Sequence, residues 1–213
     1  MLKIEETYVT GFEAAIRGMR NPMNSWAKSD SYHQLSFGDY GSGDWEFVMG
    51  ENDHKLAMNL AKGGAVHAKY RRMITVTCDI TAPLYWWKEF DTYKVGTVAN
   101  SCSTMHKIHA KEFTLDDFSH EHLELIPLEN LVETIDTMNQ YRQWFIKTKD
   151  MTNWWQMIQL LPTSYNQKRT VLLNYEVLVG MYRDRKNHKL DEWHTLCDWV
   201  KTLPYSELIV GEE

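Results

Sequence analysis

The chain has 213 residues, of which 43% are hydrophobic and 24% charged, and its formal net charge at pH 7 is −6. A chain of this length can bury a sizeable core, and its balanced composition excludes a disordered protein. The acidic balance argues against a protein that coats polymeric nucleic acid, but it allows a local basic pocket for one phosphorylated ligand. No CxxC pair occurs among the cysteines, which argues against a disulfide framework or a thiolate metal site.

The N-terminal segment lacks the apolar core of a secretion signal. The sequence also contains no run of about 18 apolar residues, the length that a membrane-spanning helix needs. We therefore expect a cytoplasmic protein with reduced thiols and no membrane partner.

The N-terminal third predicts a strand, a helix and a long loop. Residues 4–10 have strand composition, and residues 11–20 predict a short helix that the following Asn-Pro pair ends. Residues 24–50 are rich in Ser, Gly, Asp and aromatic residues, including the run GDYGSGDW. This segment predicts a long loop with at most a short strand at 45–49, and loops of this length are often functional.

The next elements alternate between helix and strand. Asp53 is a suitable N-cap for a helix through residue 62, which a Gly-Gly pair would end. The β-branched run at 73–80 predicts a strand. Residues 84–93 predict a helix that begins after a proline, and the small, polar residues 95–103 predict a loop.

The second half of the chain predicts mainly helices. Apolar residues recur at helical spacing in four segments, at 128–145, 151–160, 171–181 and 190–200. Strands at the front and helices behind indicate an α+β fold. No internal repeat or linker is visible, so we expect one domain over residues 1–213.

The richest polar stretch, residues 88–109, surrounds Gly96. Hydroxyls, an amide and backbone N–H groups in such a loop can hold phosphate oxygens, and a lysine supplies positive charge. The alternative is an ordinary polar loop, which is common on protein surfaces. The candidate ligand-binding side chains here are Lys94, Thr97, Asn100, Ser101, Ser103 and His106.

Two other polar patterns have a structural and a functional interpretation. His106 and His109 form an HxxH with two further histidines nearby, but no motif fixes a third zinc ligand, so we expect no metal. Arg183 and Arg185 lie near a predicted helix end. They either complement the helix dipole or reach toward a phosphate or a planar acidic base.

The order of several motifs resembles the flavin-dependent thymidylate synthases. That family has a Gly-His, a strand, an Ala-Pro-like helix entry, a signature of the form RHRxxSxxxxSxR, and later a Leu-Pro, an Asn and an Arg. The matching segments, which span roughly residues 53–203 and need no gap from His67 to Thr97, are Gly64-Ala-Val-His67, Ala82-Pro83, Lys94-Val-Gly-Thr97, Leu161-Pro162, Asn174, Arg185 and Asp191-Glu192-Trp193.

The chain departs from that signature at most of its charged positions. Thr92 and Tyr93 replace the first Arg and the His, and Glu89 replaces a preceding Gln. Thr97 replaces the first Ser. The second Ser matches Cys102, or Ser103 after a one-residue insertion. The last Arg and a further Arg before the Leu-Pro are lost, at Thr104 or Met105 and at Ile158.

The resemblance implies the α+β fold of the thymidylate synthase complementing proteins, in a homotetramer with active sites between subunits. It also implies FAD and dUMP, or a related pyrimidine nucleotide, with NADPH and methylenetetrahydrofolate as co-substrates. The catalytic cations would be Lys94 and Arg185. The implied cofactor-binding residues are His67, Thr97, Asn100, Ser101 and Asn174, and the implied substrate-binding residues are Glu89, Tyr93, Ser103 and His106.

Two functions follow from this pattern. One is a divergent flavin-dependent thymidylate synthase that reductively methylates dUMP or a relative. The other is a catalytically inactive protein that keeps the fold and binds a nucleotide or a partner. The missing arginines motivate the second, because losing one charged donor from a preorganised site costs about 100- to 1,000-fold in rate.

Overall fold

The computed structural model describes residues 1–37 and 43–211. Within these ranges the strands are β1 (Lys3–Thr10), β2 (Tyr32–Phe37), β3 (Gly43–Val48), β4 (Thr75–Pro83), β5 (Val98–Ser101) and β6 (Asn166–Asn174). The α-helices are α1 (Phe12–Arg20), α2 (Glu51–Lys62), α3 (Leu84–Phe90), α4 (Leu125–Thr148), α5 (Met151–Leu160), α6 (Tyr175–Arg185), α7 (Asp191–Lys201) and α8 (Glu207–Val210).

The central sheet is antiparallel, with strand order β1-β4-β6-β5, and β2 and β3 form a separate hairpin. β4 alternates between buried and partly exposed residues, with Val76, Cys78 and Ile80 pointing inward. This period of two is what a strand with one covered face requires. The pairing of β4 with β6 runs from Thr75–Asn174 to Pro83–Asn166 and fixes the position of both strands.

Two groups of buried side chains form the interior. The larger group lies between the inner face of the sheet and the helices α1, α2, α3, α6, α7 and α8, and includes the fully buried Trp86, Trp87 and Trp193. The smaller group joins α4 and α5 to the segment at 108–118, with Met138 and Met157 at its centre. No helix in the described ranges combines the length and apolarity that crossing a bilayer requires.

The α+β class is confirmed, and helices dominate the second half. The strand at the start, the first helix, and the later helices α4, α5 and α7 lie close to where the sequence predicts them. The predicted strand at 45–49 corresponds to β3. Part of the GDYGSGDW run, residues 38–42, lies outside the described residues.

Three predicted elements were wrong. The loop at 24–50 contains β2, which pairs with β3. The loop at 95–103 contains β5, and the helix at 171–181 begins only at Tyr175, because residues 166–174 form β6. Apolar neighbours such as Val171 and Leu173 fit a helix in isolation, but pairing with β4 satisfies their backbone groups as a strand.

The predicted N-cap at Asp53 was also wrong. α2 begins at Glu51, and the carboxylate of Asp30 accepts hydrogen bonds from the backbone N–H groups of Asn52 and Asp53, at 2.9 and 3.1 Å. The side chain of Asp53 instead points into the interior, where it forms an ion pair with Arg20. A carboxylate from a distant loop therefore satisfies the start of this helix.

Candidate functional site

The loop after α3 is held by its own hydrogen bonds. The hydroxyl of Thr97 donates to the carbonyl of Tyr93, and the backbone N–H of Tyr93 donates to the carbonyl of Phe90 at 3.0 Å. Gly96 lies in this loop with a φ of 81°, a backbone angle that residues with a side chain rarely adopt. Because the Thr97 hydroxyl proton is already used, this side chain offers a ligand only an acceptor.

Asn174 connects this loop to the start of α6. Its Oδ1 accepts from the backbone N–H of Val177 at 3.0 Å, which caps the helix, and its Nδ2 donates to the carbonyl of Gly96 at 3.5 Å. A Cβ on Gly96 would lie 2.9 Å from Asn174 Nδ2 and 3.0 Å from Val177 Cγ2. The loop can pack this closely on α6 only because residue 96 is glycine.

Arg185, at the end of α6, is held among aromatic rings and one carboxylate. Its Nη1 donates to Glu89 Oε2 at 2.8 Å, and its Nε donates to the Tyr93 hydroxyl at 2.9 Å. The guanidinium carbon lies 4.7 Å from the centre of the Trp193 ring. Trp193 Nε1 also donates to Glu89 Oε2, at 3.2 Å, and His188 Nε2 lies 3.3 Å from the same oxygen. The positive charge of Arg185 is therefore largely balanced by Glu89.

Lys94 is exposed and borders a surface cavity of about 310 Å³. The cavity is also lined by Phe90, Asp91, Thr97 and Ala99. This lysine is thus the predicted cation that faces solvent, while Arg185 is enclosed by its partners. A flexible, hydrated ammonium group of this kind suits a charged ligand oxygen.

The remaining predicted residues lie on or after the edge strand β5. Asn100 is paired with Thr170 and Ser101 with Arg169, and both side chains are exposed. The hydroxyl of Ser103 accepts from the backbone N–H groups of Met105 and His106, at 3.2 and 2.9 Å, so it organises the turn that follows.

His67 and His106 are both exposed, and in the described part of the chain no hydrogen bond or ion pair joins either ring to the Lys94 loop. Within residues 1–37 and 43–211, no group of three or more His, Cys, Asp or Glu side chains is arranged to hold a metal ion. The structure thus brings together Glu89, Tyr93 and Arg185 in one cluster. It places Lys94, Thr97 and Asn174 in a second group around Gly96.

Arg169 is a neighbour of the site that the sequence analysis missed. Its guanidinium lies 4.2 Å from the centre of the Trp87 ring, and its Nη1 donates to Asp91 Oδ1 at 2.8 Å. Because residues 166–174 form a strand, Arg169 shares the inner face with Gln167 and Val171. The sequence of β6, NQKRTVLLN, groups its polar and apolar residues instead of alternating them, so no local pattern signals the inward direction of Arg169.

No protein-family model and no curated protein sequence matches this chain. Its fold is nevertheless that of the flavin-dependent thymidylate synthases and of a UMP/dUMP methylase.

The individual matches cover almost the whole chain at low sequence identity. Flavin-dependent thymidylate synthase ThyX from Helicobacter pylori, solved with FAD and dUMP, is 14% identical with a TM-score of 0.67, over 99% of this chain and 98% of that one. The UMP/dUMP methylase PolB from Streptomyces cacaoi, solved with 5-Br dUMP, is 10% identical with a TM-score of 0.63, over 99% and 95%.

Proposed function

We propose that this chain binds FAD and a pyrimidine nucleotide, dUMP or a close relative, and methylates that nucleotide reductively. The observation that carries the proposal is the Gly96 loop, which presents an exposed lysine beside a cavity in a fold whose solved examples hold FAD and dUMP. Asn174 and Thr97 hold this loop in place. Its ligand-binding groups therefore lose little conformational entropy when a ligand binds.

The side chains around the loop fit an anionic, dinucleotide-like cofactor. Asn100 and Ser101 are exposed on an edge strand, so their amide and hydroxyl groups can donate to phosphate oxygens. His67 and Asn174 are our candidates for flavin contacts, and Ser103 and His106 for nucleotide contacts. When bound, the flavin would supply the hydride, NADPH would recharge it, and methylenetetrahydrofolate would supply the one-carbon unit.

Among the residues of this chain, Lys94 and Arg185 take the catalytic positions. Lys94 would contact phosphate or uracil oxygens as a mobile point charge. Glu89 and Tyr93 fix the orientation of Arg185, whose planar group would face the base. Glu89 has a second oxygen, Oε1, that can accept an N–H from a base edge.

The cavity beside Lys94 is too small for both ligands. Pockets for a single drug-sized ligand span about 300–1,000 Å³, whereas this cavity measures about 310 Å³. A second copy of the chain would therefore complete the site, in line with a homotetramer. Exposed apolar side chains on α4 and α5, among them Leu125, Ile126, Trp144 and Trp155, support such an assembly.

The second candidate is a protein that binds the same ligands without turnover. The ion pair between Arg185 and Glu89 favours this candidate. A guanidinium that is already neutralised by a carboxylate stabilises negative charge on a reacting base less than an unpaired guanidinium does. Both functions require ligand binding, and they differ only in catalysis.

The test is the visible absorbance of the purified protein, followed by an oxidation assay. We expect bound oxidised flavin, or reconstitution with added FAD, and then oxidation of reduced flavin that depends on dUMP and is lost in Arg185→Ala. Colourless protein that cannot be reconstituted would overturn the proposed function. Flavin binding without dUMP-dependent oxidation would leave the inactive binding protein as the function.

A further inference from the structure

Arg169 is held in one orientation beside the Lys94 cavity. Its guanidinium stacks on Trp87, its Nε donates to Gln167 Oε1 at 3.0 Å, and its Nη1 donates to Asp91 Oδ1 at 2.8 Å. Gln167 is itself fixed, because its Nε2 donates to the carbonyl of Cys102 at 2.7 Å. A planar cation ordered in this way loses little further freedom when it binds an anion.

The position of Arg169 connects it to the groups already assigned to the site. Ser101 is its cross-strand partner, so the two side chains are neighbours on the same face of the sheet. Asp91, its ion-pair partner, lines the cavity together with Lys94. Asp91 therefore links Arg169, its ion-pair partner, to the cavity that Lys94 lines.

In the ion pair between Arg169 and Asp91, the carboxylate is the partner that another anion could replace. Its side chain is 51% exposed, whereas that of Arg169 is 15% exposed. An ion pair with one half-exposed partner contributes little to stability, so replacing the carboxylate with another anion costs little free energy. A phosphate monoester carries about −1.5 to −2 charges near neutral pH and more acceptor oxygens than a carboxylate.

We propose that Arg169 and Lys94 together bind the phosphate group of the nucleotide, and that Asp91 holds the place of that phosphate when no ligand is bound. This inference rests on the proposed function, since it names the cations that the phosphate contacts. It also explains how a chain without most of the signature arginines can bind a dianion: β6 supplies the charge that the loop lacks. Arg185 is not assigned to the phosphate, because its Nη1 and Nε already donate to Glu89 and Tyr93.

The experiment is calorimetric titration of the full chain with dUMP and, separately, with inorganic phosphate. Arg169→Gln removes the charge, and we expect it to weaken dUMP binding roughly 10-fold or more, as the loss of a charge-assisted hydrogen bond does. Asp91→Asn removes the competing carboxylate, and we expect binding roughly 3- to 10-fold tighter. Arg17→Gln, at an exposed arginine of α1, is the matched control for net charge and should change neither affinity.

The two variants are expected to change dUMP affinity in opposite directions. This keeps the test free of folding artefacts, because a destabilised protein does not bind more tightly. Equal dUMP affinity in the wild type, Arg169→Gln and Asp91→Asn would overturn this inference and leave the proposed function standing. If flavin and dUMP fail to bind but inorganic phosphate binds with the expected variant pattern, Arg169 and Lys94 form a phosphate site, and the assignment of that site to a nucleotide is wrong together with the proposed function. Absence of binding by either probe overturns both.

Discussion

Asp53 shows how a single side chain orders the segment between α1 and α2. The carboxylate is fully buried, lies 2.5 Å from Arg20 Nε, and accepts from the hydroxyls of Ser29 and Ser31, each at 2.7 Å. Burial alone would raise the pKa of Asp53, but the hydrogen bonds from Ser29, Ser31 and Arg20 outweigh it and hold the pKa below the ordinary value of 3.8.

We expect Asp53→Asn to lower the free energy of unfolding by about 3–5 kcal/mol at neutral pH, because it leaves the buried Arg20 charge without its partner. The pKa of Asp53 is lower in the folded state than in the unfolded state. Its stabilisation is therefore present above about pH 4 and is lost as the pH falls through the folded pKa.

Chemical denaturation of both proteins near pH 7 and near pH 3 measures this effect, and the difference between them should shrink at the lower pH. Asp198→Asn, on the exposed face of α7, is the control and should change stability by less than about 1 kcal/mol. A difference between wild type and Asp53→Asn that grows toward low pH would contradict this account.

The three cysteines differ in reactivity for a related reason. Burial raises the pKa of Cys78 to about 12, and burial also raises the pKa of Cys197. Cys102 is exposed at the end of β5, next to the proposed ligand site. Thiol reagents attack the thiolate, so the two buried thiols should be inert in the folded protein.

We expect one thiol to react rapidly with a disulfide reagent at about pH 8 in the native protein, and three after denaturation. Cys102→Ser should abolish the native reaction, and Cys197→Ser, the control, should leave it unchanged. Saturating dUMP should slow the labelling of Cys102. Rapid native reaction of a second cysteine would show that the interior opens more readily than this packing implies.

At the scale of elements, the contact between the Gly96 loop and α6 decides the shape of the site. Gly96→Ala would place a methyl group 2.9 Å from Asn174 Nδ2, at a φ that disfavours any side chain. We expect a loss of about 1–3 kcal/mol in stability and weaker dUMP binding, because the loop must move away from the helix.

Gly64→Ala is a matched control for stability. Gly64 has a φ of 84° but no atom within 4 Å of an added Cβ, so the variant carries the backbone strain without the clash. The midpoint temperature of thermal unfolding should be highest for the wild type, lower for Gly64→Ala and lowest for Gly96→Ala. Equal stability of the two variants would mean that Asn174 and Val177 do not constrain the loop.

Local sequence signals predicted some elements well and others poorly. The helices α4, α5 and α7 have a clear 3.6-residue apolar period, and each was predicted nearly in place. β6 and β5 were not predicted, because their strand character depends on pairing with β4 and with each other. The order of motifs singled out Lys94 and Asn174, whose roles in the site stay predictions, whereas Arg169 became a candidate only through the register of β6.

At the scale of the whole molecule, the proposed tetramer depends on apolar surface that one chain cannot bury. Trp144, Met151 and Trp155 are exposed near the turn between α4 and α5. We expect Trp155→Asp to shift the protein toward smaller assemblies, because it places a charge in an apolar contact.

Light scattering after size exclusion, at several protein concentrations, measures the assembly. Trp155→Phe keeps an apolar ring and should assemble as the wild type does. A wild-type protein that is monomeric at every concentration would contradict the proposed assembly. If the assembly formed by Trp155→Asp has the same mass as that of the wild type, the contact between copies lies elsewhere on the surface.

The smaller buried group has a consequence for how the chain folds and moves. All of its members lie between residues 108 and 165, so α4 and α5 form a single excursion of the chain between β5 and β6. Contacts this close in sequence form quickly, and such a segment behaves as a cooperative unit that can open separately from the sheet. The pairing of Ser101 with Arg169 closes its base. Opening of this segment is therefore expected to disturb the strands that carry the proposed phosphate-binding groups, and the proposed assembly through α4 and α5 would hold those strands in place.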